Sequence, residues 1–453
     1  MTQTKIFSTT LFLILLCSSV GHTQNIDWTK LSKTLDSSAF GKVINPANYN
    51  VASNNLTDIE KWNYDNKING DSLFYLLSNW DKYPTPKQNG IIVEYKIKLD
   101  TNYTVPFLVY IPKNYSPKQK TTLLLYFKGG WLSRNKIPKD YAKEIVNDNP
   151  TFSYLDKNNV IEIFPALEND LEINYKYGYK HLAGMVAQTK KLFNIDDNKV
   201  FLSGFSDGGK TVYMAANLTP TPFACFYPIN GAIISSPDFP NYTNRPIYSF
   251  VAEKDELTNF KSISTKAEYA NKIGANWTLR KIPNEGHYYF PYQQKILPIL
   301  FSNLKTVNRN PLPNKIEYNR AFNDDKDFKG IDWIQVKVNT TKNPNEFHKT
   351  DSIETFWANG ESYNYRYGLK VGQLKAHCFD NTYFLTTSLL DEVTIYVSPL
   401  MVNIELPIKV IVNGKEKFNS KVEFSKEFMT KRFIDNFDRQ QIFINKIVVM
   451  IDQ

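Results

Sequence analysis

Residues Gly204-Phe205-Ser206-Asp207-Gly208-Gly209 constrain this chain more than any other stretch. They follow a strand-like run, residues 199–203, and precede residues 210–217, which suit a helix. A serine on such a strand-to-helix turn is held in a strained conformation at the carboxyl end of a sheet, and the flanking glycines leave room for the tight passage. A glycine-rich turn without chemistry is the plain alternative. Only the rest of the chain decides between them.

The surrounding pattern supplies the expected sheet. Residues 122–127 and 160–164 are continuous apolar runs of the kind buried on both faces, and residues 247–252 and 277–282 read as further strands. Between 182 and 193 the apolar residues fall at helical spacing. Residues 91–99 and 105–112 are β-rich and separated by Asp100-Thr101-Asn102, which predicts a hairpin opening the domain. Strands alternating with helices predict an α/β domain with a mostly parallel sheet over residues 91–308. At 453 residues the chain is too long for one core, so a second domain is expected. Asn310-Pro311-Leu312-Pro313 is a stiff break, because proline fixes its own backbone and restricts the residue before it. It marks residues 309–314 as a linker. Beyond it, residues 331–338 alternate with period two, 393–397 are β-branched, 408–412 run into the hairpin signal Asn413-Gly414, and 442–451 are again β-rich. Residues 315–453 are therefore expected to form a smaller, all-β, sandwich-like domain. Residues 22–90 are rich in Asn, Asp and Lys, with one short helical candidate at 73–80, and no role is assigned to them.

A serine hydroxyl is a poor nucleophile until a base takes its proton. Of five histidines, His22 lies near the chain start, His181 precedes the glycine turn, and His348 and His377 fall in the β-rich region. His287, in Asn284-Glu285-Gly286-His287 after the strand 277–282, is the candidate base. An acid must then orient the imidazole, and Asp255, just past the strand 247–252, fits that place, with Glu253 and Glu256 as neighbouring alternatives. Amide donors for a developing oxyanion are expected from Asp207 and from Lys128-Gly129-Gly130-Trp131, with Gly130 preferred and Trp131 in reserve. This scheme requires no metal and no cofactor.

With those residues assigned, residues 93–308 resemble the secreted esterases of the α/β-hydrolase superfamily, particularly the polyhydroxybutyrate-depolymerase-like and prolyl-oligopeptidase-like groups. The matching stretches are 106–112, 123–131, 195–209 and 284–287. The resemblance implies an α/β-hydrolase fold and ester cleavage through an acyl-enzyme, with Ser206, Asp255 and His287 in the order that fold uses. The family's first glycine loop usually begins with His, whereas Lys128 stands here and alters the charge a substrate would meet. The expected substrate is a small-molecule or oligosaccharide ester, derived from a polysaccharide or another polymer. Two alternatives stay open. One is a serine peptidase of the prolyl-oligopeptidase type, although residues 22–90 are too short for the β-propeller such enzymes carry. The other is an inactive hydrolase scaffold whose β domain docks carbohydrate through Trp333, Trp357 or Tyr363.

Lys5, an apolar run at 11–16 and small residues at Ser19 and Gly21 make residues 1–21 an expected export signal. Lipid attachment at Cys17 is the less favoured alternative, because Leu16 stands where a lipoprotein signal wants a small residue. No later run approaches the roughly 18 apolar residues of a membrane span. The net charge of +9 is spread without any run of five or six basic residues, so no nucleic-acid partner is expected. Cys225 and Cys378 lack the paired spacing of a metal or redox site and are expected as free thiols, a disulfide between them staying open.

Overall fold

A computed structural model describes residues 59–62, 64–65, 67–86, 88–98, 104–130, 151–165, 178–233, 238–288, 293–321, 330–341, 351–357, 359–367 and 371–452. The expected export signal, Cys17, the 100–102 turn, Trp131 and His348 lie outside them.

In chain order the first elements are α1 (Gly70–Ser78), β1 (Ile91–Lys98), β2 (Thr104–Ile111), β3 (Thr121–Phe127), α2 (Phe152–Asn158), β4 (Val160–Pro165), α3 (Gly178–Leu192), β5 (Ile195–Phe205) and α4 (Asp207–Leu218). They continue with β6 (Cys225–Ile229), a 3₁₀ turn (Phe239–Asn244), β7 (Ile247–Ala252), α5 (Phe260–Lys272), β8 (Trp277–Ile282) and α6 (Gln293–Thr306). Their strands form one eight-stranded sheet in the order β1-β2-β4-β3-β5-β6-β7-β8. The first two are an antiparallel hairpin, β2 meets β4 antiparallel, and every pair from β4 to β8 is parallel. This is an α/β-hydrolase-type fold. Continuous burial explains the parallel core: every residue of β4 and β6 is buried, because helices cover both faces of such a sheet. Removing each large apolar side chain there from water contributes about 1.5–3 kcal/mol.

The sequence reading passes over β6, a run of five residues interrupted by Pro228. It also starts β5 four residues late, because Asp196, Asp197 and Asn198 break the apolar run. Asp197 is nevertheless buried, held by Lys190 and Arg439.

The second region comprises β9 (Lys315–Ala321), β10 (Gly330–Ile331), β11 (Ile334–Val338), β12 (Asp351–Phe356), β13 (Ser362–Tyr367), β14 (Val371–Phe379), β15 (Thr382–Ser388), β16 (Leu390–Val397), β17 (Ile408–Val412), β18 (Lys415–Ser420), α7 (Lys426–Asn436) and β19 (Asn445–Met450). A five-stranded sheet, β18-β17-β15-β14-β9, is antiparallel except where β15 meets β17, and β10-β11-β16-β19 forms a four-stranded antiparallel sheet. Asn413 and Gly414 both take positive φ in the β17–β18 turn, the geometry such a two-residue hairpin needs.

Three expectations for this region are corrected. Residues 331–338 are not one strand: Asp332 adopts φ 48°, its buried carboxylate paired with Arg245, and the chain turns there between β10 and β11. The region is not all-β, since α7 is capped by Ser425 and buries Met429, Phe433 and Ile434 against the strands. Trp333 is fully buried against Tyr383, its indole N–H donating to the carbonyl of Pro313, so it has no face for a sugar.

The segment left without a role joins this second core. Ile59, Leu73, Leu77 and Trp80 share one apolar cluster with residues of β9, β11, β14 to β17 and β19, and Lys426 Nζ donates to the carbonyls of Asp65 and Ile68. In the other direction, the β12–β13 hairpin packs on α5. Ile353 enters the core of the large sheet, and the Lys261 ammonium sits 3.8 Å from the centre of the Phe356 ring.

Candidate active site

Ser206 follows β5 directly and caps α4, with φ 56° and ψ −114°. A side chain rarely occupies that region, and here the backbone fixes it from both sides. The Ser206 N–H donates to the carbonyl of Ile229 at the end of β6, and its carbonyl accepts the N–H of Lys210 in the first turn of α4. The glycines explain how helix and sheet approach so closely. A Cβ on Gly208 would lie 2.1 Å from the carbonyl oxygen of Phe127, and one on Gly204 would lie 2.6 Å from Gly208.

The side chains singled out in sequence converge at this turn. Ser206 Oγ is 2.8 Å from His287 Nε2, and His287 Nδ1 is 2.9 Å from both carboxylate oxygens of Asp255. Asp255 Oδ1 also accepts the N–H groups of Leu257 (2.8 Å) and Thr258 (2.7 Å), which hold the carboxylate where the imidazole meets it. The Asp255 side chain is sealed from water, whereas Leu257 and Tyr288 are exposed beside it. The ring of Phe205 packs 5.3 Å from the imidazole.

Glu253 and Glu256, the sequence alternatives for the acid, serve other partners. Glu253 pairs with Lys281 and accepts the N–H of Asn284. Glu256 accepts the N–H of His287 at 3.3 Å and does not reach its ring. Both tie the loop after β7 to the loop after β8.

Gly129 lies beside the serine: a Cβ on it would come 3.0 Å from Ser206 Cβ. Gly130 takes φ 77°, with open space where its side chain would be. The Asp207 carboxylate pairs with Lys210 at 2.9 Å. Trp131 lies outside the described residues. Sequence reasoning also missed Asn230, which touches the loops of both Asp255 and His287. The only sequence signal for it is an Asn-Gly pair after a run it did not read as a strand.

Cys225 and Cys378 are free thiols, and burial pushes that of Cys225 up to about 12. Among the described residues no cluster of three or more His, Cys, Asp or Glu has the arrangement of a metal site. Among them, too, no helix is long and apolar enough to cross a membrane.

Residues 156–296, which carry the serine, the acid and the histidine, match the phospholipase/carboxylesterase family model. No curated protein matches the chain in sequence. Among solved structures, a thermostable esterase is 18% identical over 48% of this chain, with a TM-score of 0.39. This chain spans 63% of that esterase. Esterase 2 of Thermogutta terrifontis, solved phosphoramylated by tabun, is 16% identical over 49% of this chain and 96% of its own, with a TM-score of 0.40. An arylesterase is 15% identical over 56% of this chain and 97% of its own, with a TM-score of 0.37.

Proposed function

We propose that this chain is an exported serine hydrolase that cleaves carboxylic esters through an acyl-enzyme, acting on small-molecule or oligosaccharide esters derived from polymers. The observation that carries the proposal is the hydrogen-bond chain from Ser206 Oγ to His287 Nε2 and from His287 Nδ1 to Asp255. It sits on a strained turn at the carboxyl end of a parallel sheet, within residues that match a carboxylesterase family model.

In the proposed reaction His287 Nε2 takes the proton of Ser206 as Oγ attacks the ester carbonyl. Asp255 keeps the other ring nitrogen protonated and stabilises the imidazolium that forms. The N–H groups of Asp207 and Gly130 receive the oxyanion of the tetrahedral intermediate. The imidazolium then returns its proton to the leaving alcohol, and a water activated in the same way releases the acid. The exposed Leu257 and Tyr288 give the rim an apolar character suited to an acyl or aryl group.

Labelling with a fluorophosphonate probe tests the nucleophile. The parent protein is expected to be labelled and Ser206→Ala is not; an unlabelled, folded parent would sink the proposal. Comparing turnover of an aryl acetate, a feruloyl ester and a prolyl amide tests the class, with the esters expected to be cleaved and the amide spared.

A further inference from the structure

We propose that Asn230 is a positioning residue for the base and the acid of this site, an inference that rests on the serine-hydrolase reading. Asn230 follows β6 immediately, takes φ 48°, and is buried. Asparagine tolerates that left-handed conformation better than most residues. Each of its polar groups reaches an element that carries part of the site. Its N–H donates to the carbonyl of Phe250 and its Oδ1 accepts the N–H of Ala252, both in β7 (2.9 Å each). Its Nδ2 donates to the carbonyl of His287 itself (2.7 Å). Its own carbonyl accepts the hydroxyl of Thr258 (2.9 Å), whose N–H in turn holds Asp255 Oδ1. The orientation of the amide is settled by its partners, since a backbone N–H only donates and a carbonyl only accepts.

The geometry explains why such a tether matters. His287 stands in an irregular loop between β8 and α6, so no strand ladder fixes its backbone. Its ring must still keep Nε2 within 2.8 Å of Ser206 Oγ while Nδ1 meets both oxygens of Asp255. Asn230 holds the carbonyl of this residue and Glu256 holds its N–H, so the backbone on either side of the imidazole is pinned. A displacement of about 1 Å at a reacting group can lower a rate about 100-fold. A buried asparagine that merely joined strand ends would have no reason to bond the base and the acid's holder.

The test compares the parent with Asn230→Gly, which keeps the left-handed backbone and removes the amide. A second pair, Thr258→Val and Thr258→Ser, removes and then restores the hydroxyl. Asn230→Gly is expected to lower kcat on an aryl acetate about 10- to 100-fold, with KM within about two-fold. The far-downfield proton resonance of His287 Nδ1–H, read by NMR, which reports its hydrogen bond to Asp255, is expected to move upfield or broaden away as that contact loosens. Thr258→Val is expected to lower kcat about three- to ten-fold, and Thr258→Ser to return it to the parent value. Asn230→Gly with parental kcat and an unmoved Nδ1–H resonance, having lost only thermal stability, would overturn the proposal. If that variant does not fold, a Thr258→Val enzyme indistinguishable from the parent overturns it instead. A parent that neither cleaves esters nor takes the probe removes the hydrolase reading, whereas the NMR comparison still reads whether Asn230 positions His287.

Discussion

Three carboxylates stand within four residues of one another after β7, and their surroundings give them different work. Asp255 alone reaches the imidazole, while Glu253 and Glu256 bond backbone N–H groups of the facing loop. Sequence reasoning narrowed the acid to this trio, because the order of serine, acid and base along the chain reflects strand order. It preferred Asp255 for its place just past the strand 247–252 and kept Glu253 and Glu256 as alternatives, since exposure and loop direction are not local properties. Under the proposed mechanism Asp255→Asn leaves the shape intact, but the N–H groups of Leu257 and Thr258 claim its amide oxygen and turn its NH2 towards Nδ1, so the ring is held in the wrong tautomer. Its kcat on an aryl acetate is expected to fall by about 10⁴-fold, with KM little changed. Glu253→Gln is expected to stay within about ten-fold of the parent, because it gives up only an exposed ion pair and a loop contact. Equal losses in the two variants would show that the acid has been misassigned.

Among the elements, α5 shows how a helix serves two partners. It begins at the N-cap Asn259, whose side chain accepts the N–H of Ser262, directly after the loop of Asp255, and it receives the β12–β13 hairpin on its side. Between them lies Lys266, buried, donating to Ser262 Oγ, which in turn meets Thr355 Oγ1. Burial pushes the Lys266 pKa down to about 8 from an ordinary 10.5. Below pH 8 the side chain is charged whether the chain is folded or not, and the full burial penalty applies. Between pH 8 and 10.5 the folded chain sheds the proton first, so this contribution to stability grows as pH rises. Lys266→Met is therefore expected to raise the melting temperature at pH 7 by roughly 2–4 °C. That advantage should shrink by pH 10, as thermal denaturation followed by circular dichroism at the two pH values would show. A variant no more stable than the parent at pH 7 refutes this account. Neither the hairpin's partner nor the fate of Lys266 was legible beforehand: a lysine at helical spacing reads as solvated until another segment covers it.

At the scale of the whole molecule, buried charges join the second region to the large sheet. Asp438 meets Lys190 of α3 at 3.0 Å and Arg309 at 2.8 Å, and the neighbouring Arg439 holds Asp197 at 2.6 Å and donates to Asn194 Oδ1 and the carbonyl of Trp80. Burial opposes ionisation of Asp438, but the Arg309 and Lys190 cations outweigh it and hold its carboxyl down to about 2. This stabilisation is complete above the ordinary aspartate value of 3.8 and is lost as pH falls from there towards 2. Removing the acid takes the paired carboxylate from buried Arg309 and leaves Lys190 with Asp197, so Asp438→Ala is expected to cost about 3–5 kcal/mol at neutral pH. Urea denaturation at pH 7 and pH 2.5 checks both statements: the gap between parent and variant should narrow sharply in acid. A gap that does not change with pH would show that the cluster does not act through ionised Asp438.

The sequence by itself determined the glycine turn, the parallel strands around it except β6, and the two loops that carry Asp255 and His287. Those features rest on local rules: backbone conformations open to few residues, runs of apolar side chains, and the chain order a parallel sheet imposes. The three-dimensional packing decided what those rules cannot reach. It brought Asp255 rather than its neighbours to the imidazole, gave Asn230 its place between two loops, buried Trp333 and drew Ile59, Leu73, Leu77 and Trp80 into the second core. Each depends on which distant segment arrives to remove water or complete a hydrogen bond, and that is fixed only when the whole chain has folded.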